Sequence, residues 1–147
     1  MYAKELFIGG TDGDFLEAYS CFEPILHDEH APLDEVRAAQ CVVVHAARLK
    51  KDTVMMFKTA LKNIISEPGA EVCCDLGAYF ADTGDYEEAA TWYYTAAFGA
   101  QSELDARFSG NIPLLRLAGC YKKLGMLREA EGCRLRAKAW TPPQGTD

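Results

Sequence analysis

The sequence has no long apolar run and an excess of acidic over basic residues. No stretch approaches the ~18 consecutive apolar residues that span a bilayer, and the first ten residues lack the apolar core and cleavage site of a secretory signal. We therefore expect a cytoplasmic protein with no membrane span. The 22 acidic and 15 basic side chains give a net charge of -7. A protein with this acidic excess lacks the basic surface that pairs with the phosphates of nucleic acids, so nucleic acid is not an expected partner.

Motifs that carry chemistry are also missing. No Ser/His/Asp set and no phosphate-binding glycine loop is present. Asp12-Gly13-Asp14 spells the Asp-x-Asp that can hold a divalent metal against a diphosphate, but no strand pattern surrounds it. We expect a turn there, with Asp14 capping a helix. The sequence thus predicts no catalytic residues, no cofactor and no metal site.

The six cysteines form no Cys-x-x-Cys pair, and each lies in an apolar helical pattern. We expect them to be reduced and buried. Cys73-Cys74 is open to a second interpretation as a vicinal redox or metal pair. The histidines His27, His30 and His45 could bind a metal only if they converged, and the first two fit a helix end with acidic neighbours.

A repeat of helical hairpins is the main positive signal. Its clearest copy contains Cys73-x-x-Leu76-Gly77-x-x-Phe80, then Gly84-Asp85-Tyr86, Ala89, Tyr93 and Ala96. This is the tetratricopeptide pattern, in which small residues let two antiparallel helices nest and a glycine ends the first helix. A second copy has Ala118, Gly125, Ala130 and Ala137 at the corresponding positions.

These signals predict an all-α, tetratricopeptide-like α-solenoid of antiparallel hairpins with about seven to eight helices. We expect one domain over residues 1–140 and a disordered tail over 141–147. The domain divides into four parts: a degenerate N-terminal part (1–32), a degenerate repeat (33–68), a clear repeat (70–101) and a repeat with its capping helix (111–140). Pro24 predicts a kink in the first part, and the 99–110 connection must hold about seven extra residues.

Over residues 70–139 the sequence resembles the C-terminal tetratricopeptide region of bacterial family 2 glycosyltransferases. The likeness rests on the run from Ala70 to Phe80, on Gly84-Asp-Tyr-Glu-Glu-Ala-Ala-Thr-Trp-Tyr93, and on Gly110-Asn-Ile-Pro-Leu-Leu-Arg-Leu-Ala-Gly-Cys-Tyr-Lys-Lys-Leu-Gly125. It implies a non-catalytic region that follows a sugar-transferring domain. Two departures are Lys51 in place of a turn glycine and Asn111 in place of an aromatic residue.

Two functions follow as expectations. The first is an interaction or scaffold module of such an enzyme, which mediates homodimerisation or positions an acceptor or a protein partner. The alternative is a free-standing adaptor that binds a peptide in its concave groove. Capture of a C-terminal peptide tail is not favoured, because the groove lacks the usual Lys/Asn pattern. Expected groove or partner-binding residues are His45, Arg48, Asp82, Lys122 and Lys123, together with Trp92 and Tyr94, which inter-repeat packing or sugar binding would also explain.

Overall fold

The computed structural model describes residues 2–104 and 111–140. These residues form helices, and the predicted all-α class is confirmed. The α-helices are α1 (Ala3–Gly9), α2 (Asp12–Phe22), α3 (Leu33–Leu49), α4 (Thr53–Ser66), α5 (Ala70–Asp82), α6 (Tyr86–Tyr94), α7 (Ile112–Lys123) and α8 (Leu127–Ala139). A 3-10 segment (Glu23–His27) follows α2, and a π-helical turn (Thr95–Gly99) follows α6.

Three helix pairs, α3/α4, α5/α6 and α7/α8, are joined by turns of the same geometry. The middle residue of each turn has a positive φ, which is 61° at Lys51, 83° at Gly84 and 77° at Gly125. In each turn the N–H of the following residue donates to a carbonyl five residues back, at 2.8–2.9 Å. This is the Schellman-type end of a helix, which a glycine adopts without strain and Lys51 does not.

The small residues of the repeat lie between packed helices, as predicted. Ala89, Ala96, Ala118, Ala130 and Ala137 are all buried. Gly77 makes the closest approach, because a Cβ built on it would lie 2.8 Å from the ring of Tyr93. The nesting of α5 against α6 therefore requires glycine at this position.

The interior consists of two apolar clusters. The larger joins α1 to α5 and includes Leu6, Phe15, Val42, Met56 and Leu76. Helix α3 is central to it, since its residues from Ala39 to Val44 are fully or nearly fully buried. The smaller cluster joins α6 to α7 through Tyr93 and Leu117. The stacking of the hairpins into a solenoid and the domain boundaries stay predictions.

Two local predictions were wrong, the cap of α2 and the burial of Cys21. Thr11, and not Asp14, caps α2: the Thr11 hydroxyl accepts from the Asp14 N–H at 3.2 Å, and the Asp14 carboxylate accepts from the Thr11 N–H at 3.0 Å. The kink at Pro24 stays a prediction; α2 ends at Phe22, and the 3-10 segment that follows contains Pro24. Cys21 is exposed, whereas Cys41, Cys73 and Cys120 are buried and Cys74 and Cys133 are half-buried.

A strap of residues 101–104 returns from the end of α6 to the beginning of α5. The Ala70 N–H donates to the Gln101 carbonyl at 3.0 Å, and the Glu103 N–H donates to Glu71 Oε1 at 2.8 Å. Leu104 is buried in the larger cluster. The sequence predicts a loop over 99–110 but not that part of it packs back as this strap. Residues 105–110 of that loop lie outside the described residues.

Arg37 of α3 ties the strap to the end of α4. Its guanidinium donates to the Glu103 carboxylate, to the Glu67 carbonyl and to Ser66 Oγ, the last at 2.7 Å. Nearby, Asn63 donates to Gln40 Oε1 at 2.9 Å and accepts from the Gly69 N–H at 3.0 Å. Because these polar groups satisfy one another, their burial between the hairpins is tolerated.

In the described part of the chain, no helix has the length and apolar character needed to cross a membrane. The predicted disordered tail, residues 141–147, lies outside the described residues.

Candidate binding groove

A cavity of about 510 Å³ opens between the N-terminal helices and the repeat hairpins. Residues from α1, α2, α3, α5, α6 and α7 line it, and we call it the central groove. Its lining is Leu6, Phe7, Gly10, Asp12, Phe15, His45, Arg48, Glu71, Cys74, Asp75, Ala78, Ala81, Asp82, Tyr93, Ile112 and Arg116. A concave site of this size with a few convergent polar groups is typical of ligand or peptide binding.

Asp75 is the centre of the polar lining. Its side chain is only 4% exposed, and its Oδ1 accepts from His45 Nδ1 at 2.8 Å and from Arg48 Nε at 2.7 Å. The other oxygen, Oδ2, is buried and has no hydrogen-bond donor among the described residues. The carboxylate thus holds two side chains of α3 in fixed positions beside the groove.

Arg48 keeps its charge in this setting. Burial opposes the charged form, but the negative charges around it, chiefly the Asp75 carboxylate and also Asp82, raise the pKa of Arg48 above its usual value. Only Nε of Arg48 is used by Asp75, so the guanidinium has further donors in a fixed fork.

Aromatic rings form the wall of the groove beside α1 and α2. The ring of His45 lies with its centroid 4.1 Å from that of Phe15 and 5.5 Å from that of Phe7. Phe7 and Phe15 meet edge to face at 4.9 Å. The N-terminal helices therefore fix the histidine ring by packing while Asp75 fixes it by a hydrogen bond.

Tyr93 of α6 and Arg116 of α7 also line the groove. Burial raises the pKa of Tyr93 to about 12, although a hydrogen bond from Arg116 favours the ionised form. The Tyr93 hydroxyl therefore stays protonated at neutral pH. Arg48 on α3 and Arg116 on α7 both line the groove, so two guanidinium groups from different helices face it.

Glu71 connects the groove to the strap. It lines the groove, is 1% exposed, and accepts from Ser102 Oγ at 3.0 Å as well as from the Glu103 N–H. Burial raises its pKa to about 6, against the opposing effect of these hydrogen bonds.

The groove groups do not assemble into a nucleophilic set. Cys74 also lines the groove, but burial and the negative charge of Asp75 hold the pKa of its thiol well above the usual value. No hydrogen bond joins it to His45 in the described residues. A thiol without an activating base is a poor nucleophile. Residues 2–104 and 111–140 contain no group of three His, Cys, Asp or Glu side chains that could hold a metal.

Of the residues expected from the sequence, His45, Arg48 and Asp82 meet in the central groove. Lys122 and Lys123 are exposed at the end of α7 and are not among the groove-lining residues. Lys123 Nζ lies 5.9 Å from the ring centroid of Tyr86. Their role in binding stays a prediction.

Trp92 and Tyr94 lie apart from the groove. Trp92 is half-buried and packs against the larger core cluster, and its Nε1 is buried with no acceptor among the described residues. Tyr94 is exposed, and its ring centroid lies 4.9 Å from that of Phe98. It borders a second cavity of about 610 Å³ between α6 and the α7/α8 turn, together with Tyr121 and Met126.

The sequence interpretation missed Glu71, Asp75 and Arg116. A signal for the first two was available, because Glu71, Asp75, Ala78 and Asp82 follow steps of four, three and four residues and share one face of α5. Acidic side chains on an otherwise apolar helix face indicate a polar site. No such local signal marks Arg116, which reaches Tyr93 from another helix.

Comparisons with protein-family models, with curated proteins and with solved structures gave no match. The function is therefore inferred from the residues of this chain.

Proposed function

We propose that this chain is a non-catalytic interaction module that holds a segment of a partner molecule in the central groove. The observation that carries the proposal is the groove itself, with polar and aromatic side chains from several helices turned toward one cavity of about 510 Å³. A surface that served only to fold the chain would not need this combination of concavity and charge.

The groove chemistry suits a polypeptide segment with both donors and acceptors. Arg48 and Arg116 offer donors, Asp82 offers an acceptor, and Phe7 offers apolar contact. Asp75 already holds Arg48 and His45 in place by hydrogen bonds of 2.7–2.8 Å. Such pre-organised groups lose little conformational entropy on binding, which favours affinity.

The resemblance over residues 70–139 leads to a narrower proposal. The chain would be the C-terminal accessory region of a family 2 glycosyltransferase, which mediates dimerisation or positions an acceptor or protein partner. The shared geometry of the turns at Lys51, Gly84 and Gly125 supports repeated hairpins of the tetratricopeptide type. A nucleotide-sugar domain encoded directly upstream would support this version, and its absence would favour the free-standing adaptor.

Filling the groove tests the binding proposal. Ala78 lies in the lining, so Ala78→Trp should block the cavity, whereas Ala139→Trp adds the same side chain at an exposed position of α8. Peptides selected from a random displayed library on the wild-type chain would be measured by fluorescence anisotropy. We expect Ala78→Trp to abolish their binding and Ala139→Trp to preserve it.

Circular dichroism of both variants would verify that the helices remain. If no peptide is selected, or if a folded Ala78→Trp chain binds as tightly as the wild type, the groove is not the binding site.

A further inference from the structure

The outer face of α4 is apolar where a surface helix is normally polar. Its inner face buries Met56, Thr59, Ala60 and Asn63. On the opposite side, Val54, Phe57, Leu61 and Ile65 are exposed by 77%, 38%, 58% and 75%. Their spacing of three, four and four residues places them in one line, which we call the α4 stripe, ~16 Å long at the rise of an α-helix. Exposed apolar side chains in line on one helix face are a candidate interaction surface.

The stripe is held firmly on one side by α5. The Phe57 ring centroid lies 5.2 Å from that of Tyr79, edge to face, and 6.0 Å from that of Phe80. Helix α4 also packs along α3, its partner in the hairpin. The stripe is therefore a preformed surface, so binding to it requires little ordering of α4.

Two lysines follow the other edge of the stripe. Lys58 and Lys62 are exposed and stand one helical turn apart. Within the described ranges neither forms an ion pair with a carboxylate. The stripe thus combines an apolar seam with a positive edge, which complements a surface that has carboxylates beside apolar side chains.

The spacing of the stripe fits another helix. Steps of three and four residues form the seam along which two helices pack, with charged residues beside it setting partner choice. A second copy of α4 does not supply the complement, since Thr53–Ser66 contains no Asp or Glu. In an antiparallel two-fold pair, moreover, Lys58 and Lys62 of both copies would lie along the same edge and repel one another.

We propose that the α4 stripe docks an amphipathic helix of a partner protein, with its apolar seam on Val54, Leu61 and Ile65 and its acidic flank beside Lys58 and Lys62. This surface is separate from the central groove, because none of these residues lines the groove. Binding at the α4 stripe and binding in the central groove can therefore be tested independently.

Two synthetic helical peptides test the charge and the seam together. Both have leucines at seam spacing; one has glutamates on the flank and its twin has lysines. By fluorescence anisotropy in about 0.1 M salt, we expect the acidic peptide to bind about tenfold more tightly than its twin. Reversing the edge with Lys58→Glu and Lys62→Glu should invert this preference.

A matched pair of substitutions tests the position. Leu61 on α4 and Leu135 on α8 are both 58% exposed. We expect Leu61→Gln to weaken the acidic peptide by about tenfold, and Leu135→Gln to leave its affinity unchanged. Both variants remove exposed side chains, and circular dichroism would verify that both are folded.

Several results would overturn the proposal. These are equal affinity for the two peptides, no binding of either, or equal losses in the two glutamine variants. Light scattering that shows a dimer lost only in Leu61→Gln would assign the stripe to a second copy. Binding to phosphatidylserine vesicles that is lost only in Leu61→Gln would assign it to a lipid surface.

Discussion

The buried carboxyl of Glu71 should make this chain less stable as the pH rises. Burial raises its pKa from 4.5 to about 6, so the folded state binds the proton more tightly than the unfolded state. The stabilisation by this group is fully present below pH 4.5 and is lost as the pH rises through 6. The difference between the two pKa values corresponds to about 2 kcal/mol.

The Glu71→Gln variant isolates this effect. Glutamine retains an oxygen that can accept from the Glu103 N–H but has no charge to bury. The free energy of unfolding would be measured by urea denaturation of both chains between pH 4.5 and pH 7.5. From the lower to the upper pH, we expect the wild type to lose about 2 kcal/mol relative to the variant.

Glu87→Gln provides the control, because Glu87 is exposed on α6 and the substitution is chemically the same. Since it removes an exposed carboxylate, it separates the effect of burying the charge from the effect of removing one acidic group. A wild-type minus Glu71→Gln difference that stays constant over this range, or that grows in favour of the wild type at high pH, would refute the assignment of a buried, readily protonated carboxyl.

Three further substitutions, two of them with a matched control, test the helix packing, a turn and an ion pair, each by urea denaturation. Gly77→Ala should lower the free energy of unfolding by about 1–3 kcal/mol, because its Cβ would meet a buried tyrosine ring. Gly119→Ala is the control: a Cβ there has nothing within 4 Å, so it should stabilise α7 by about 0.5–1 kcal/mol. Equal effects would contradict the nesting of α5 and α6. Lys51→Gly should add about 1 kcal/mol by relieving the positive φ, and a loss would contradict it. Arg48→Met should lower the free energy of unfolding by about 3 kcal/mol, because a buried carboxylate loses its charged partner. Arg134→Met, in an exposed pair, should lower it by under about 1 kcal/mol. Similar losses would rule out a special role for the buried pair.

Local sequence signals predicted the helices and the turns between them. Helix periodicity and turn chemistry involve residues a few positions apart, so Gly84 and the N-cap Asp85, which accepts from the Glu88 N–H at 3.2 Å, could be identified from sequence alone. The cap of α2 was assigned wrongly because Thr11 and Asp14 belong to one reciprocal capping box, in which either side chain fits the sequence pattern of a cap.

The groove could be predicted only in part, since its chemistry depends on contacts between distant residues. His45 and Arg48 were placed on the inner side of α3 by helix register, which is a local property. Their shared acceptor, Asp75, lies about thirty positions further along the chain. The strap is non-local in the same way, because Arg37 and Glu103 are sixty-six positions apart. Single-sequence patterns contain no information on such pairings.

The strap has a consequence for how the molecule should unfold. In a simple array each repeat touches only its neighbours, so unfolding can spread from either end one unit at a time. Here residues 101–104 bring the chain back to α3 and α5, which binds the segment from Leu33 to Leu104 into a single closed unit. Hydrogen exchange should therefore give the same opening free energy for the amides of α3 and α5. The amides of α7 and α8, which lie beyond the strap, should have a different opening free energy.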